Sequence, residues 1–508
     1  MKTKIIEVTN EYELYLMDES KRKGFAEKIS FPESTEAVAE LVRFADKEGL
    51  NVTVQGSRTG VGGGAVPEGG LVMSLERLRG CERLNRKPVG KDNLNGPCDN
   101  VTDERDALFR FGAGMRLDEI ADVLKKAEGG PFFLPPDPTE TTASIGGAVS
   151  CNSSGARTYG YGPVRNYVEG LTVVMSDGSV LEIMRGDCEA EGRRMEVPRI
   201  GTVDLPSYIM PDVKNAGGYY VKDGADLVDL FIGGEGTLGI ITEVIVRAVR
   251  KPTHIWGLIA FFDEEDSGLD MTDDLREVFS PLSPEKGLIS MEFFDRGSLA
   301  LLRQGGVMMP DSAAEAVFLE VCGDSVSDII NKVRKIESCI IRAGGNPDDA
   351  FVAGGERMFR DFKEVRHKTP VMVNEIISSI KKKAPAITKL GSDMSVPATV
   401  FRKTVDMYKD DLRAAGLDFV IFGHIGNCHL HCNILSRNEE EYKKGKEIFG
   451  RWAEAVSSYG GSVCAEHGAG KLKKDFLIRM YGEEGIEEMK KLKHCLDPKG
   501  ILGKGNIF

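Results

Sequence analysis

Apolar and polar positions near the start of the chain alternate with the period of a helix. In FPESTEAVAELVRFADKEGL, residues 31–50, apolar residues recur three and four positions apart, which places them on one helix face. These residues are Ala37, Val38, Leu41, Val42 and Ala45. Ser34 precedes them as an N-cap residue and Gly49 follows them as a closing glycine. The pattern therefore predicts an amphipathic helix between these two caps.

Short strands and glycine-rich loops follow this helix. The runs NVTVQG (51–56) and GLVMSLERL (70–78) predict strands on either side of the loop SRTGVGGGAVPEGG. The run EGLTVVMSDGSVLEI (169–183) predicts a β-hairpin that turns at Asp177-Gly178. Residues 227–249 end in an apolar strand. Strands and glycine loops thus dominate the first half of the chain.

The pattern changes after Lys251-Pro252, where strand-like runs begin to alternate with helix-like runs. Residues 83–106 and 186–225 lack a clear period and are interpreted as insertions. The end of the chain is mostly helical, with an EHGAGK turn in the middle. The predicted units are residues 1–251, 252–450 and 451–508.

Length, charge and cysteine usage narrow the class of protein. A chain of 508 residues can form two or three domains. Its net charge of -13 argues against a nucleic-acid surface or binding to an anionic membrane. Neither a secretory signal nor an apolar run of about 18 residues is visible, so no spanning helix is expected. Ten cysteines without a C-x-x-C pair indicate reduced thiols in the cytoplasm and no iron–sulfur cluster.

Three glycine-rich loops carry the first candidate chemistry. Gly60–Ala65 fits G-x-G-x-x-A, Gly234–Gly239 fits G-x-G-x-x-G, and glycine density rises again in 134–168. A strand rather than a helix follows each of the first two, which disfavours a Rossmann NAD site. Glycine lets consecutive N–H groups approach an anion closely. Each loop alone could be a tight turn, but three together favour a phosphate-bearing ligand.

Residues 31–250 contain the segments VQGSRTGVGGG, PPDPTETTASIGGAVSCNSSGARTYGYGPVRNYVEG and GGEGTLGIITEV. Together these segments resemble the flavin-binding half of the vanillyl-alcohol-oxidase superfamily. The resemblance implies an α+β fold: a two-subdomain FAD-binding domain, an α+β cap domain, and a C-terminal helical segment that packs on the flavin site. It implies FAD with the pyrophosphate near 57–63 and the adenine side near 236–241. The implied cofactor contacts are Ser57, Arg58, Thr59, Gly60, Gly62, Gly63, Pro136, Thr142, Ser144, Gly147, Asn152, Gly155, Gly162, Glu235, Gly236, Gly239, Ile240 and Ile241.

The segment GHIGNCHLHCNIL, residues 423–435, carries the second candidate chemistry. If 428–434 is a strand, its side chains alternate between two faces. One face carries Cys428, Leu430, Cys432 and Ile434, and the other carries His429, His431 and Asn433. A single zinc ion cannot easily use both faces, so a Cys/His zinc site is disfavoured. The cysteines are interpreted as buried core residues.

The histidine face favours a different site. His424 lies in the turn before the strand and could converge with His431. A divalent metal needs a third ligand, and Glu466 in SVCAEHGAGK offers a carboxylate. His467 beside it is a candidate general base. Either segment alone could hold ordinary hydrogen-bonded core histidines, and the presence of both favours the metal site.

The pattern H-x-x-x-x-x-x-H-x-N followed by A-E-H-G-x-G resembles the metal-bearing branch of the D-2-hydroxyacid dehydrogenases. The resemblance implies that His424, His431 and Glu466 bind a divalent metal (Zn, Fe, Mn or Co). It implies that His467 is the base and that Arg366, in FKEVRHKTP, binds the substrate carboxylate.

Two positions that bear on the substrate depart from the pattern of this branch. His429 stands where the branch usually has asparagine, and is interpreted as a fourth ligand or a substrate contact. Asn433 is a second candidate substrate contact. In GSDMSVP, Gly391 occupies the position where the D-2-hydroxyglutarate enzymes have a lysine, and Lys389 is out of register.

The expected function is therefore FAD-dependent, metal-assisted oxidation of a D-2-hydroxy acid. D-Lactate is the first choice of substrate because the lysine for a second carboxylate is absent, and glycolate or D-2-hydroxyglutarate follow. Electrons would pass to an electron-transfer flavoprotein, a quinone or an iron–sulfur subunit, and the expected location is cytoplasmic, free or peripheral to the membrane. Alternatives from other classes are a flavin-dependent lipid synthase, a metallohydrolase, and a catalytically silent FAD-binding subunit.

Overall fold

The computed structural model of the chain describes residues 3–85, 106–282 and 287–508. Its first long helix is the one that the apolar pattern predicted. Helix α1 (Thr35–Glu48) begins where the Ala37 N–H donates to Ser34 Oγ at 3.2 Å, and ends at Gly49 with φ of +66°. Its buried residues are Val38, Ala39, Leu41, Val42 and Ala45. The predicted helix and both caps are confirmed, although Ala39 rather than Ala37 completes the buried face.

Two sheets form the first half of the molecule. The smaller sheet has the order β1-β2-β4-β3, with β2, β4 and β3 parallel. The larger sheet is antiparallel, with the order β5-β6-β12-β8-β9 and β7 paired beside β12. The strands are β1 (Ile5–Glu7), β2 (Lys28–Ser30), β3 (Val52–Gln55), β4 (Leu71–Ser74), β5 (Cys81–Leu84), β6 (Ala107–Gly112), β7 (Phe132–Phe133), β8 (Val168–Val174), β9 (Val180–Met184) and β12 (Ile240–Arg250).

Short elements connect these strands and carry the glycine loops. The predicted hairpin is confirmed as β8 and β9, with Gly178 in its turn at φ of +75°. The antiparallel ribbon β10–β11 lies within residues 186–225, and residues 86–105 of the other predicted insertion lie outside the described ranges. The elements are α2 (Leu117–Lys126), α3 (Ile145–Ser150), α4 (Thr158–Tyr161), α5 (Leu227–Phe231), β10 (Arg194–Val197) and β11 (Gly201–Asp204).

A third sheet dominates the second half. It is antiparallel, with the order β16-β13-β15-β14-β19-β20-β17 and β18 paired beside β20. Its strands are β13 (His254–Phe262), β14 (Leu288–Phe294), β15 (Glu315–Gly323), β16 (Phe351–Ala353), β17 (Leu390–Gly391), β18 (Met394–Ser395), β19 (Phe419–Gly423) and β20 (His429–Ile434). Around it lie α6 (Ser267–Val278), α7 (Arg296–Gln304), α8 (Val326–Arg342), α9 (Glu356–Lys381) and α10 (Ala398–Ala415). The chain passes from the second sheet to the third between β12 and β13, next to the predicted boundary at 251.

The C-terminal region returns to the first half of the molecule. Helices α11 (Glu439–Ser458) and α12 (Lys474–Leu496) pack together, and α11 runs through the predicted boundary at 450/451. The last residues then reach the glycine loops: Leu502 bridges Val52, and the Ile507 N–H donates to the Gly470 carbonyl at 2.9 Å. No helix in the described ranges combines the length and apolarity needed to cross a membrane.

Candidate active site

The glycine-rich loops of the first half line one cavity of about 320 Å³. A Cβ added at Gly60 or Gly236 would meet nothing within 4 Å, so the backbone there faces open space. Bare N–H groups beside such space suit the close approach of a pyrophosphate. Predicted cofactor contacts in the wall are Ser57, Arg58, Thr59, Gly60, Gly62, Ser144, Gly147, Gly155, Glu235, Gly236, Gly239, Ile240 and Ile241.

Five predicted cofactor contacts do not line the cavity. Gly162 caps α4 with φ of +77°, and the Asn152 side chain hydrogen-bonds two backbone groups. The Thr142 hydroxyl donates to a neighbouring glutamate at 2.5 Å. Gly63 lies between the lining residues Gly62 and Gly64, and Pro136 lies two positions before the lining residue Pro138. These side chains and glycines hold the loops in shape, and their contact with FAD stays a prediction.

The wall also contains residues that the sequence did not single out, among them Asp18, Cys151 and Asn506. Asn506 comes from the C-terminal tail, and its amide donates to the carbonyls of Gly64 and Glu235, both at 3.1 Å. No local pattern in the tail sequence LGKGNIF marks this asparagine. Its role depends on the return of the tail to the loops.

The turn at residues 466–470 is fixed to the glycine loops. The N–H groups of Ala469 and Gly470 donate to the two carboxylate oxygens of Glu235, both at 2.7 Å. Burial raises the pKa of the Glu235 carboxyl to about 7, against the effect of these two donors. The Lys471 N–H donates to the Gly62 carbonyl at 2.9 Å. Glu235 therefore joins the cavity wall to the turn that carries the predicted catalytic residues.

His424, His431 and Glu466 come together as the sequence predicted. The Nε2 atom of His424 lies 3.1 Å from Glu466 Oε2, and the Nε2 atom of His431 lies 3.1 Å from Glu466 Oε1. The other ring nitrogens are taken: Nδ1 of His424 lies 2.7 Å from Glu292 Oε1, and Nδ1 of His431 lies 2.8 Å from the Ser392 carbonyl. Both rings thus point Nε2 at one carboxylate.

This donor set fits a divalent cation. A neutral His431 that donates from Nδ1 to a carbonyl leaves a bare Nε2 lone pair facing a carboxylate oxygen, an arrangement that a cation between them stabilises. Burial lowers the pKa of His431, and holds it neutral. Burial opposes a charge on His424, but Glu292 and Glu466 outweigh it and raise its pKa to about 9, so a cation that binds Nε2 would displace a proton from it. The donor atoms of His424, His429, His431 and Glu466 lie within 4.8 Å of one another.

The strand alternation in the histidine segment is confirmed for β20. Leu430, Cys432 and Ile434 are buried in the main hydrophobic cluster, and Cys428, just before the strand, is buried with them. Every described cysteine is free. Cys428 and Cys432 therefore belong to the core, as predicted, and not to the candidate metal site.

His429 is fully buried between a carboxylate and an ammonium group. Its Nε2 atom lies 3.3 Å from Asp393 Oδ1, and its Nδ1 atom lies 3.2 Å from Lys214 Nζ. Lys214 also donates to Glu466 Oε2 at 2.5 Å. Sequence reasoning missed Lys214 because it lies in residues 186–225, which were interpreted as an insertion without a role.

Asp393 holds the turn that carries Glu466 and His467. The N–H groups of these two residues donate to the Asp393 carboxylate at 3.1 and 3.2 Å. The His467 Nδ1 atom lies 3.4 Å from Asp393 Oδ2, and Lys473 donates to the same oxygen. Burial opposes the charge on Asp393, but Lys473 and His467 outweigh it and hold its pKa well below the usual range. His467 itself is 38% exposed and lines the cavity together with His424 and Glu466.

Arg366 and Asn433 do not line the cavity. The Arg366 guanidinium is 6% exposed and lies 3.5 Å from an Asp137 oxygen and 3.6 Å from a Glu320 oxygen. Two carboxylates of the protein therefore already flank the group predicted to bind a substrate carboxylate. Asn433 is buried, and its amide donates to the His431 carbonyl at 3.3 Å. Substrate binding by Arg366, His429 and Asn433 stays a prediction.

Two family models match the chain. The FAD binding domain matches residues 26–184, and the C-terminal domain of FAD linked oxidases matches residues 258–507. The chain belongs to the FAD-linked oxidases. The first match includes the first two glycine-rich segments that line the cavity, and the second includes the histidine cluster. They confirm FAD as the cofactor.

Relatives of this FAD-linked oxidase match nearly its whole length. The glycolate oxidase subunit GlcD of Bacillus subtilis is 27% identical over 96% of this chain and 90% of its own. A D-2-hydroxyglutarate dehydrogenase of Stutzerimonas stutzeri is 28% identical over 94% and 90%. A D-lactate dehydrogenase of Anaerostipes hadrus is 27% identical over 93% and 88%. The resemblance to FAD-linked D-2-hydroxyacid dehydrogenases is confirmed, and the chain is an FAD-dependent enzyme of that type.

Two solved structures of alkyldihydroxyacetonephosphate synthase share the fold of this FAD-linked oxidase. One aligns with a TM-score of 0.59 over 95% of this chain and 76% of that one, and the other with 0.56 over 94% and 76%. The sequence identity is 15% in both, so the likeness shows the fold alone. The predicted α+β architecture, with an FAD-binding domain and a second domain, is confirmed.

Proposed function

We propose that the enzyme oxidises a D-2-hydroxy acid to the 2-keto acid, with D-lactate as its first substrate. One observation carries the proposal: His424, Glu466 and His467 lie in the wall of the same cavity as the glycine loops. A base and a candidate cation site therefore face the space that the flavin loops enclose. Oxidation of an alcohol by hydride loss needs an acceptor for the hydroxyl proton and an acceptor for the hydride of the neighbouring carbon, both in the same site.

His467 is the proposed base. Its Nδ1 atom faces Asp393 at 3.4 Å, so a proton on Nδ1 leaves Nε2 to accept the proton of the substrate hydroxyl. The backbone hydrogen bonds to Asp393 hold the residue in place before substrate binds. Bound FAD would supply the acceptor for the hydride that leaves C2 as the hydroxyl becomes a carbonyl.

His424, His431 and Glu466 are the proposed ligands of a divalent cation. Three protein ligands leave coordination positions for the substrate carboxylate and hydroxyl. A cation bound there would lower the pKa of that hydroxyl and help His467 to remove its proton. Two imidazoles and a carboxylate suit Zn, Fe, Mn or Co.

The choice of D-lactate rests on Gly391 and its neighbours. Residue 391 is glycine, and a Cβ added there would lie 2.7 Å from Asn433 Oδ1, so any larger residue would require the Asn433 side chain to move. Lys389 donates to Asn374 at 3.1 Å. No lysine side chain at 391 is therefore available for a second substrate carboxylate. Glycolate and D-2-hydroxyglutarate are the next candidates.

Reduced flavin must pass its electrons on, and nine described cysteines without a cluster motif give no internal route. We propose an external acceptor: an electron-transfer flavoprotein, a quinone or an iron–sulfur subunit. We also propose a cytoplasmic location, in which the enzyme is either free or peripheral to the membrane.

Anaerobic flavin bleaching tests the reaction. D-Lactate should bleach the visible flavin bands of the purified enzyme, and L-lactate should not. His467→Ala should keep bound flavin but bleach at least about a hundredfold more slowly, the scale of general-base catalysis. His494→Ala, an exposed histidine on α12, is the matched control. Failure of every 2-hydroxy acid to bleach the flavin would favour a transferase or a silent subunit instead.

Metal analysis tests the cation site separately. The purified enzyme should contain a divalent metal that His431→Ala loses and His494→Ala retains. Equal metal content in all three proteins would contradict the ligand assignment, whatever the outcome with D-lactate.

A further inference from the structure

Lys214 reaches the candidate cation site from a distant part of the chain. Its side chain is 3% exposed, and its Nζ donates to Glu466 Oε2 at 2.5 Å and contacts His429 Nδ1 at 3.2 Å. Its backbone is fixed as well: the Ser395 hydroxyl donates to the Lys214 carbonyl at 2.5 Å. The ammonium group is therefore held in place against a proposed metal ligand.

The next residues join Lys214 to both halves of the molecule. Asn152, from the loop after α3, donates to the Asn215 carbonyl at 3.3 Å, and Ser462 donates to the Asn215 side chain at 2.7 Å. The Ala216 N–H donates to the Cys464 carbonyl at 2.8 Å. This segment is packed between the flavin loops and the turn at 466–470, so the position of Lys214 is built into the site.

We propose that Lys214 is a positioning residue that lowers the affinity of the site for a divalent cation and makes the bound cation a stronger acid catalyst. The inference rests on the proposed cation at His424, His431 and Glu466. An ammonium group and a divalent cation that share one carboxylate repel each other, and the repulsion is large in a buried site. The same ammonium withdraws electron density from Glu466. A cation that receives less charge from its ligand polarises a bound hydroxyl more strongly.

The contact with Lys214 also assigns a role to His429. Its Nδ1, the ring nitrogen near Glu466, is taken by Lys214 Nζ at 3.2 Å, and its Nε2 lies on the other side, 3.3 Å from Asp393 Oδ1 without a hydrogen bond. His429 therefore bridges Asp393 and Lys214 rather than adding a fourth ligand. Three ligands remain, and the open positions are those that a substrate needs.

The decisive variant is Lys214→Met, which removes the charge while keeping an unbranched side chain. Lys214→Gln also removes the charge but keeps a hydrogen-bond donor, and serves if the methionine variant does not fold. Lys332→Met is the matched control, because Lys332 is a half-buried lysine paired with Asp328 on α8, outside the site. Bound flavin and the unfolding temperature show that each variant is folded.

Two measurements are made on the FAD-bound, metal-stripped enzyme. Mn²⁺ is titrated and free Mn²⁺ is followed by electron paramagnetic resonance, and anaerobic flavin reduction is followed at saturating D-lactate with saturating Mn²⁺. The charge-neutral variants should bind Mn²⁺ at least about tenfold more tightly and reduce flavin at least about tenfold more slowly, the scale of outer-shell effects. The control should match the wild type in both.

The opposite directions of the two effects separate the proposal from a loss of structure, which would weaken both. Weaker Mn²⁺ binding in both neutral variants would overturn the role of Lys214 while leaving the proposed cation site standing. Tighter binding with unchanged flavin reduction would overturn it as well. If neither the wild type nor a neutral variant binds Mn²⁺, the cation site and the inference both fail.

Discussion

At Gly470 the catalytic turn packs directly against the backbone of the flavin loop at Gly62. The φ of Gly470 is +52°, and a Cβ added there would lie 2.1 Å from the Gly62 carbonyl oxygen. The atom in the way belongs to the backbone and cannot rotate aside. Gly470→Ala must therefore push the loop at 57–63 away from the turn at 466–470.

The free energy of unfolding that Gly470→Ala loses has two parts, and a control variant can separate them. A non-glycine residue in the left-handed region costs about 1–2 kcal/mol. Overlap with a packed neighbour adds about 1–3 kcal/mol. Gly500 has φ of +64° with nothing within 4 Å of an added Cβ. Gly500→Ala therefore bears the first cost alone, and Gly470→Ala bears both.

The assay is urea unfolding together with flavin content. Gly470→Ala should be less stable than Gly500→Ala by about 1–3 kcal/mol, and should lose bound FAD on dialysis while Gly500→Ala retains it. The second effect follows because Gly62 lines the cavity and its loop has moved. Equal stability and equal flavin content in the two variants would refute the argument that this contact fixes the turn to the flavin loop.

Two further predictions concern the second half of the molecule. Trp452 is fully buried against Tyr408, with ring centroids 4.3 Å apart, so Trp452→Ala should lower the free energy of unfolding by about 3–5 kcal/mol in urea titrations. Burial raises the pKa of Asp295 from 3.8 to about 6. The stability that the Asp295 carboxyl contributes is present below its unfolded pKa and is lost as pH rises through its folded pKa. The free energy of unfolding of Asp295→Asn should therefore rise relative to that of the wild type by up to about 3 kcal/mol between pH 4 and pH 7.5. A difference that does not change with pH would contradict this.

The elements with a strong local signal could be predicted from the sequence. The caps Ser34 and Gly49 and the turn at Gly178 each act on their own neighbours, and the structure has them as expected. The alternation of β20 placed Cys432 in the core and His431 on the opposite face, because a strand fixes this period regardless of its partners. His424 and Glu466 are candidates by residue type alone, and the family motifs support joining them into one site, because no periodicity connects them.

The residues that complete the site carried no such signal. Lys214, Glu292 and Asp393 come from three separate segments, and each matters only because the fold brings its charge against a histidine or against Glu466. A lone lysine in an irregular stretch is indistinguishable in sequence from a solvated one. Arg366 shows the converse, because the family resemblance implied that it binds a substrate carboxylate and the structure flanks it with the carboxylates of Asp137 and Glu320. Pairing of buried charges is a property of the tertiary structure.

The charges around the histidine cluster also bear on the choice of substrate. Among the described residues, three carboxylates contact the histidines of the cluster, Glu292, Asp393 and Glu466, and two permanently charged cations contact these carboxylates, Lys214 and Lys473. With neutral histidines, the proposed divalent cation would therefore leave one uncompensated positive charge in a buried site, which is costly. The carboxylate of a 2-hydroxy acid brings one negative charge, and a simple alcohol brings none. The hydroxyl proton that passes to His467 stays in the site, so this step leaves the net charge unchanged. The balance of charge therefore favours the hydroxy acid over a simple alcohol from the moment of binding.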